Sequence, residues 1–309
     1  MPHFSTLNDL HINNAWVTIG AFDGVHLGHQ KIVQNMVAGA HVVGAPAIAI
    51  TFHPHPAVFL RRITEAYYLS SPDERAFLLD QLGVDHIITL PFNQALADRS
   101  AREFMSDLMT HTHLKQLWVG YDFALGRNRM GNVDYLRSLG EKLDYQVISQ
   151  PPVKKDGEII SSSQIRQWVA NGEMEQAAEW LGHWYFLEGE VVHGDGRGRH
   201  IGIPTANLAI WPEKRLPAPG VYAAFAWVGG HRFPSVLNLG YRPTFESEAS
   251  AARLEVHILD FASDLYGQKV RLEITHRLRN EKRFDNVDGL LVQIHDDIKN
   301  AREVLNNVP

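Results

Sequence analysis

Cysteine is absent from all 309 residues. That single absence excludes disulfide frameworks, thiolate zinc sites, iron–sulfur clusters and thiol nucleophiles together, and it fits a reducing compartment. A strong charge of one sign is lacking too: 29 Lys+Arg against 35 Asp+Glu leave a net charge of −6. With no basic stripe, neither a nucleic acid nor an anionic membrane is expected as a partner, and small anions must be bound locally. No apolar run approaches the roughly 18 residues that a membrane helix needs, and the opening MPHFSTLNDL lacks the basic-then-apolar pattern of a signal peptide. The expectation is a soluble, cytoplasmic protein whose oligomeric state is open. A 45% hydrophobic and 21% charged composition excludes a disordered chain, and the length is that of about two domains. Histidine is abundant, with 17 copies, so only patterned histidines count as evidence.

The first half alternates short apolar runs with amphipathic stretches. Strands are expected at Trp16 to Gly20, Ala47 to Phe52, His86 to Leu90, Gln116 to Gly120 and Gln146 to Ser149. Helices are expected at His29 to Gly39, Pro72 to Leu82, Ser100 to His111 and Tyr135 to Leu143. That alternation predicts an α/β domain with a parallel sheet, whose ligands lie beyond the carboxyl ends of the strands. Beyond Pro151-Pro152, Ser161 to Ser163 offer caps for a helix to about Asn171, and a short helix follows to Leu181. From Tyr185 the pattern is β, with runs at Tyr185 to His193, Gly220 to Val228, Arg232 to Leu239, Arg253 to Leu259 and Lys269 to Leu278. Gly229-Gly230 suits a two-residue hairpin, and the spacing predicts a small antiparallel barrel followed by a helix from Val287 to Leu305. The boundary is expected near residue 183, giving domains 1–182 and 183–309.

Strand Trp16 to Gly20 runs into Ala21-Phe-Asp-Gly-Val-His26-Leu-Gly28-His29 and a helix start. Strand, glycine-bearing turn and helix start together attract phosphate through backbone N–H groups and the helix dipole. His26 and His29, three apart on a first turn, face one side and can donate to phosphate oxygens as charge builds. The plain alternative is a helix start whose histidines only cap it or face solvent; a metal site is the rival function, but the spacing is not that of His-Glu-x-x-His. Ser162, Ser163 and Arg166 read either as a second anion site of hydroxyls, amides and a guanidinium or, for the serines taken alone, as an ordinary helix N-cap.

In the second half, Gly194-Asp-Gly-Arg-Gly198-Arg-His-Ile-Gly202 is followed by Pro204, which opposes the helix of a dinucleotide fingerprint. A loop that wraps phosphates fits better than that fingerprint, and the alternative is a barrel turn rich in Gly and Pro, which the segment taken alone favours. Thr205 and Asn207 then offer hard oxygen ligands two positions apart, suited to a magnesium ion shared with a nucleotide. Glu255 lies in an alternating strand and shares a face with Arg253 and His257. Arg277, Arg279 and Arg283 form a cationic cluster before the last helix.

These segments resemble a known family. Gly20 to His29, with its His-x-Gly-His core, resembles the nucleotidyltransferase signature. Phe22 to His29, Thr51-Phe-His-Pro-His-Pro56, Gly120 to Gly126 and Ile160 to Arg166 resemble the FMN adenylyltransferase module of bacterial bifunctional riboflavin kinase/FAD synthetases. His53 departs from that pattern. Gly189 to His193, Gly202 to Asn207, Pro219 to Tyr222, Asn238 to Thr244 and Leu254 to Asp260 resemble, in order, the riboflavin kinase family. The resemblance implies a Rossmann-like nucleotidyltransferase domain followed by an antiparallel β-barrel riboflavin kinase domain with a terminal helix. It implies ATP as co-substrate, Mg2+ as cofactor, and riboflavin, FMN and FAD as substrates and products. Gly20, Phe22, Gly28, Ser162, Ser163, Arg166, Gly194 and Gly198 would bind nucleotide, and His55, Asp122, Arg277 and Arg279 flavin. His26 and His29 would stabilise charge at the α-phosphate, and Glu255 would be the base for the ribityl 5′-hydroxyl. The alternatives are adenylyl transfer to another phosphorylated metabolite, such as a pantetheine or nicotinamide derivative, or a non-catalytic flavin-binding regulator.

Overall fold

The computed structural model describes residues 3–8, 12–194, 198, 202–242 and 251–308. Contacts divide the chain into two compact units, Met1–Ser162 and Ser163–Pro309. Within the glycine loop, Asp195, Gly196, Arg197, Arg199, His200 and Ile201 lie outside the described residues, as do Pro243 and Thr244 of a later motif.

The first unit runs β1 (His3–Phe4), β2 (Trp16–Ile19), α1 (Leu27–Val42), β3 (Ala47–His53), α2 (Pro56–Arg61), α3 (Pro72–Asp80), β4 (His86–Pro91), α4 (Gln94–Asp98), α5 (Ala101–Thr112), β5 (Gln116–Gly120), β6 (Ala124–Leu125), β7 (Gly131–Asn132), α6 (Val133–Leu143), β8 (Gln146–Gln150), β9 (Lys154–Lys155) and β10 (Glu158–Ile159). Six strands form one parallel sheet in the order β1-β4-β3-β2-β5-β8. The chain leaves β2 toward β3 and β4 on one side and returns to β5 and β8 on the other. Connections therefore diverge between β2 and β5, which opens a crevice at the carboxyl end of β2.

Alternate side chains of a strand enter opposite layers. Ile48 and Ile50 join a core with Phe104, Leu108 and Leu136 from α5 and α6. Ala47 and Ala49 join Val33, Met36 and Leu79 from α1 and α3. Burial on both faces explains why the strands read as continuous apolar runs rather than alternating ones. Capping boxes Ser71–Glu74 and Ser100–Glu103 start α3 and α5. Helix α1 starts two residues earlier than its apolar pattern indicates, because His26 acts as the N-cap.

The second unit comprises α7, whose range Ser162–Asn171 opens on the last residue of the first unit, α8 (Met174–Leu181), β11 (Tyr185–Val192), β12 (Ala206–Ile210), β13 (Gly220–Val228), β14 (His231–Arg242), β15 (Ala251–Ile258), β16 (Lys269–Arg279) and α9 (Val287–Leu305). The strands close an antiparallel barrel in the order β11-β12-β15-β14-β13-β16, with β16 pairing back to β11. Strand β13 is buried on both sides: Tyr222, Ala224 and Ala226 are buried on one face, while Val221, Ala223 and Phe225 pack with Ala301 and Leu305 of α9. Gly229 and Gly230 both take positive φ, 56° and 83°, in the two-residue β13–β14 hairpin, as a type I′ turn requires. Strand β12 is unforeseen. Its Ala-Asn-Leu-Ala-Ile run is poor in β-formers, and its place is set by ladders to β11 and β15.

Candidate active sites

At the carboxyl end of β2 the chain enters a turn in which Phe22, Gly24 and Val25 all have positive φ, 47°, 77° and 42°. Two non-glycine residues in that region are costly and persist only where neighbours over-determine them. Asp23, fully buried, supplies much of that constraint. Its carboxylate accepts from Leu69 N at 3.1 Å, Ser70 N at 3.0 Å and Ser70 Oγ at 3.3 Å. Gly24 N donates to Ser70 Oγ at 2.9 Å, and Ser162 Oγ donates to the Asp23 carbonyl at 3.0 Å. The Phe22 ring folds back over Gly20, where a Cβ would lie 2.9 Å from Cζ.

His26 caps α1: its Nδ1 accepts from His29 N at 3.3 Å. An accepting Nδ1 places the ring hydrogen of the neutral imidazole on Nε2. The His26 and His29 rings stack with centroids 3.6 Å apart, and His29 meets the Phe22 ring edge-on at 5.2 Å. A Cβ on Gly28 would sit 3.0 Å from His26 Cε1, so glycine there lets the imidazole lie close over the helix start. Helix α1 has no acidic residue in its first turn, leaving its positive end open to an anion. Ser163 and Arg166 follow Ser162 on α7 and are counted with the second unit.

Two more expected residues stand at this same edge of the sheet. His55 caps α2 beyond β3, its Nδ1 accepting from Ala57 N at 3.0 Å and its ring edge-on to Tyr67 at 5.3 Å. Asp122 follows β5, exposed, with its carbonyl accepting from Arg129 at 3.0 Å. Sequence reasoning missed Asp23, Ser70 and Arg75. Arg75 is fully buried, and burial pushes its guanidinium below the ordinary arginine pKa, opposed by the charges of Asp23 and Tyr68. Its signal was available: Arg75 lies four residues before the buried Leu79 and so shares the inward face of α3.

In the barrel, β15 runs between β12 and β14. Register places Glu255 directly opposite Asn207 on one side and Asn238 on the other. Leu254 and Val256 point inward and are buried, so Glu255 faces outward with Arg253, whose Nη2 is 2.6 Å from Glu255 Oε1. His257 Nδ1 lies 2.7 Å from the Pro204 carbonyl and ties the segment before β12 to β15. Two of the three described glycines of the loop, Gly194 and Gly198, pack close to the expected metal ligands. A Cβ on Gly194 would fall 2.1 Å from Asn207 Nδ2, and one on Gly198 would fall 2.3 Å from the Ile203 carbonyl and 3.1 Å from Thr205 Oγ1. This is a cradle that side chains would fill. A hydroxyl and an amide oxygen in it are hard donors of the kind magnesium takes, so the residues fit that ion. Among the described residues no group of three or more His, Asp or Glu is arranged to hold a metal.

Arg277 and Arg279 are engaged within the barrel unit. Arg277 donates to the Asn171 carbonyl at 3.3 Å and the Pro219 carbonyl at 2.6 Å. Arg279 binds both oxygens of Asp297 on α9, at 2.8 to 3.1 Å.

Comparison with known proteins adds the following. The family described as FAD synthetase matches residues 9–164, and that described as riboflavin kinase matches residues 181–305. A bifunctional riboflavin kinase/FMN adenylyltransferase of Bacillus subtilis is 34% identical over 94% of this chain and 93% of its own length. Proteins of the same description from Pseudomonas fluorescens and Escherichia coli K12 are each 36% identical, over 92% and 93% of this chain and 91% of their own lengths. A solved structure described as a macrolide-efflux protein from Streptococcus pneumoniae is 31% identical, with a TM-score of 0.87 over 97% of this chain and 98% of that one. Among the described residues no helix is long and apolar enough to cross a membrane.

Proposed function

The chain belongs to the family of bifunctional riboflavin kinase/FMN adenylyltransferases, and on that premise we propose how its residues divide two ATP-dependent reactions. The enzyme phosphorylates riboflavin to FMN and joins FMN to the AMP part of a second ATP, giving FAD and pyrophosphate. We assign adenylyl transfer to residues 1–182 and phosphorylation to 183–309; the family matches, 9–164 and 181–305, leave the boundary between 164 and 181, while contacts group α7 and α8 with the barrel.

In the kinase, the ribityl 5′-hydroxyl attacks the γ-phosphorus of ATP, its proton passes to a Glu255 carboxylate oxygen, and ADP leaves. A carboxylate suits this step, since the hydroxyl needs an acceptor only as the new P–O bond forms. The observation that supports it is the register: Glu255 stands opposite Asn207, against which Gly194 packs. Thr205 and Asn207 would hold Mg2+, with Gly194 and Gly198 leaving room for the nucleotide's phosphates. Bound there, the ion neutralises charge shared between phosphate oxygens.

In adenylyl transfer, an FMN phosphate oxygen attacks the α-phosphorus of ATP and pyrophosphate departs. The substrate supplies the nucleophile, so positioning and charge stabilisation suffice. His26 and His29, stacked at the α1 N-terminus, donate to the α-phosphate as its charge grows. Gly20, Phe22 and Gly28 shape the turn around them, and Ser162 stands beside it through its bond to the Asp23 carbonyl; Ser163 and Arg166, on α7, are assigned as a further nucleotide-phosphate site. His55 and Asp122 flank the flavin side of the crevice, while Arg277 and Arg279 border the flavin of the kinase. A cytoplasmic location is proposed, since both reactions draw on ATP.

The test is to incubate the full chain with riboflavin, ATP and Mg2+ and separate products by chromatography. FMN followed by FAD is expected. Flavin binding without ATP turnover, or adenylylation of phosphopantetheine or nicotinamide mononucleotide in place of FMN, overturns the reading.

A further inference from the structure

Arg75 is a charged side chain with no access to solvent, carried on α3 and not in the phosphate turn itself. Its Nη1 donates to Thr51 Oγ1 at 2.7 Å and to the Phe52 carbonyl at 2.9 Å. Thr51, itself fully buried, passes the connection on: its hydroxyl donates to the Ala21 carbonyl at 3.0 Å. Ala21 opens the turn whose next residues take positive φ and lead to His26. Phe52 is the penultimate residue of β3, three residues before the His55 cap that follows through Pro54. One guanidinium nitrogen therefore holds two turns, the one bearing His26 and His29 and the one bearing His55.

Such an arrangement is costly. Arg75 Nε and Nη2 are buried without a hydrogen-bond partner among the described residues, and a buried charge is stabilising only when its partners compensate its desolvation. An aliphatic side chain would fill the same inward face of α3, beside Leu79, without that penalty. Packing alone has no use for a cation here; the buried Asp23 carboxylate favours the charge, but the two hydrogen bonds to Thr51 and Phe52 are what tie Arg75 to the turns.

We infer that Arg75 is a positioning residue for adenylyl transfer, acting through Thr51 and Phe52 to set the His26–His29 turn and the His55 turn at the separation the two substrates require. It touches neither substrate. The inference rests on the assignment of the His26–His29 turn to adenylyl transfer.

The experiment compares Arg75→Met, Arg75→Lys and Thr51→Val in the full chain, measuring kcat and KM of FMN adenylylation for each substrate. Riboflavin phosphorylation in the same preparation is the internal reference, and thermal unfolding reports the folded fraction. Arg75→Met is expected to lower kcat/KM for adenylyl transfer about 100-fold, as a misplacement of about 1 Å does, with KM raised for both ATP and FMN and phosphorylation unchanged. Arg75→Lys recovers most of the loss, because an ammonium can still donate to Thr51 Oγ1 and the Phe52 carbonyl. Thr51→Val, close in shape but without the hydroxyl, raises KM for ATP and leaves KM for FMN near wild type. Should Arg75→Met not fold, Thr51→Val decides alone: an unchanged KM for ATP overturns the inference. A folded Arg75→Met with wild-type KM values, whose kcat falls only as its folded fraction does, overturns it as well. Failure of the underlying assignment is separate, since it would show as FAD synthesis surviving His26→Ala with His29→Ala.

Discussion

Replacing Asp23 with alanine tests how the strained phosphate turn is held. Three buried donors lose a charged acceptor: Leu69 N, Ser70 N and Ser70 Oγ. At about 1–3 kcal/mol for each buried donor left unpaired, and allowing some relaxation, the cost is about 4 kcal/mol. That is a large part of the roughly 5–15 kcal/mol that separates folded from unfolded states. With a urea dependence of about 2 kcal/mol per molar, the midpoint should fall by about 2 M. The assay follows loss of adenylyl transfer against urea and uses riboflavin phosphorylation by the same molecules as reference. Asparagine should rescue little, because Leu69 N and the Ser70 donors use different carboxylate oxygens, and one position would then present an amide N–H to a donor. A midpoint shift below about 0.5 M, equivalent to about 1 kcal/mol, would refute the claim that Asp23 holds this turn.

Other perturbations have equally definite outcomes. Asp297→Ala leaves Arg279 without its two-oxygen partner and should cost about 3–5 kcal/mol, read as a lower Tm for the transition that abolishes phosphorylation. Gly194→Ala places a methyl group on the Asn207 amide and should abolish riboflavin phosphorylation while sparing FMN adenylylation, measured with supplied FMN. Burial raises the Tyr222 phenol to about 12 against about 10 in an unfolded chain. The folded state then holds a proton that the unfolded state has released, so this contribution is complete below about pH 10 and is lost as pH rises toward 12. Denaturation of Tyr222→Phe across that range should lack the corresponding slope.

The sequence shows some of this molecule plainly and conceals the rest for physical reasons. The central strands of the first unit are legible because burial on both faces makes them continuous apolar runs, Ala47–His53 being the plainest. The β13–β14 hairpin is legible in Gly229-Gly230. Strand β12 is hidden because ladders to its neighbours, not its own residues, hold it. The His-x-Gly-His segment advertises itself by spacing, but Asp23 reads there as a turn residue, and its partners Leu69 and Ser70 are far along the chain. Arg75 reads as one more charge on a helix of Pro-Asp-Glu-Arg, where a solvated face is the ordinary expectation. Asn207, Asn238 and Glu255 meet only through barrel register, which no local pattern encodes.

The division of labour between the two units is tested most directly by two variants, each supplied with riboflavin or with FMN, ATP and Mg2+, and assayed by product chromatography. Glu255→Gln should form no FMN from riboflavin yet convert supplied FMN to FAD. His26→Ala combined with His29→Ala should form FMN and stop there. FAD made at near wild-type rate by the double histidine variant, or FMN made from riboflavin by Glu255→Gln, would contradict the account.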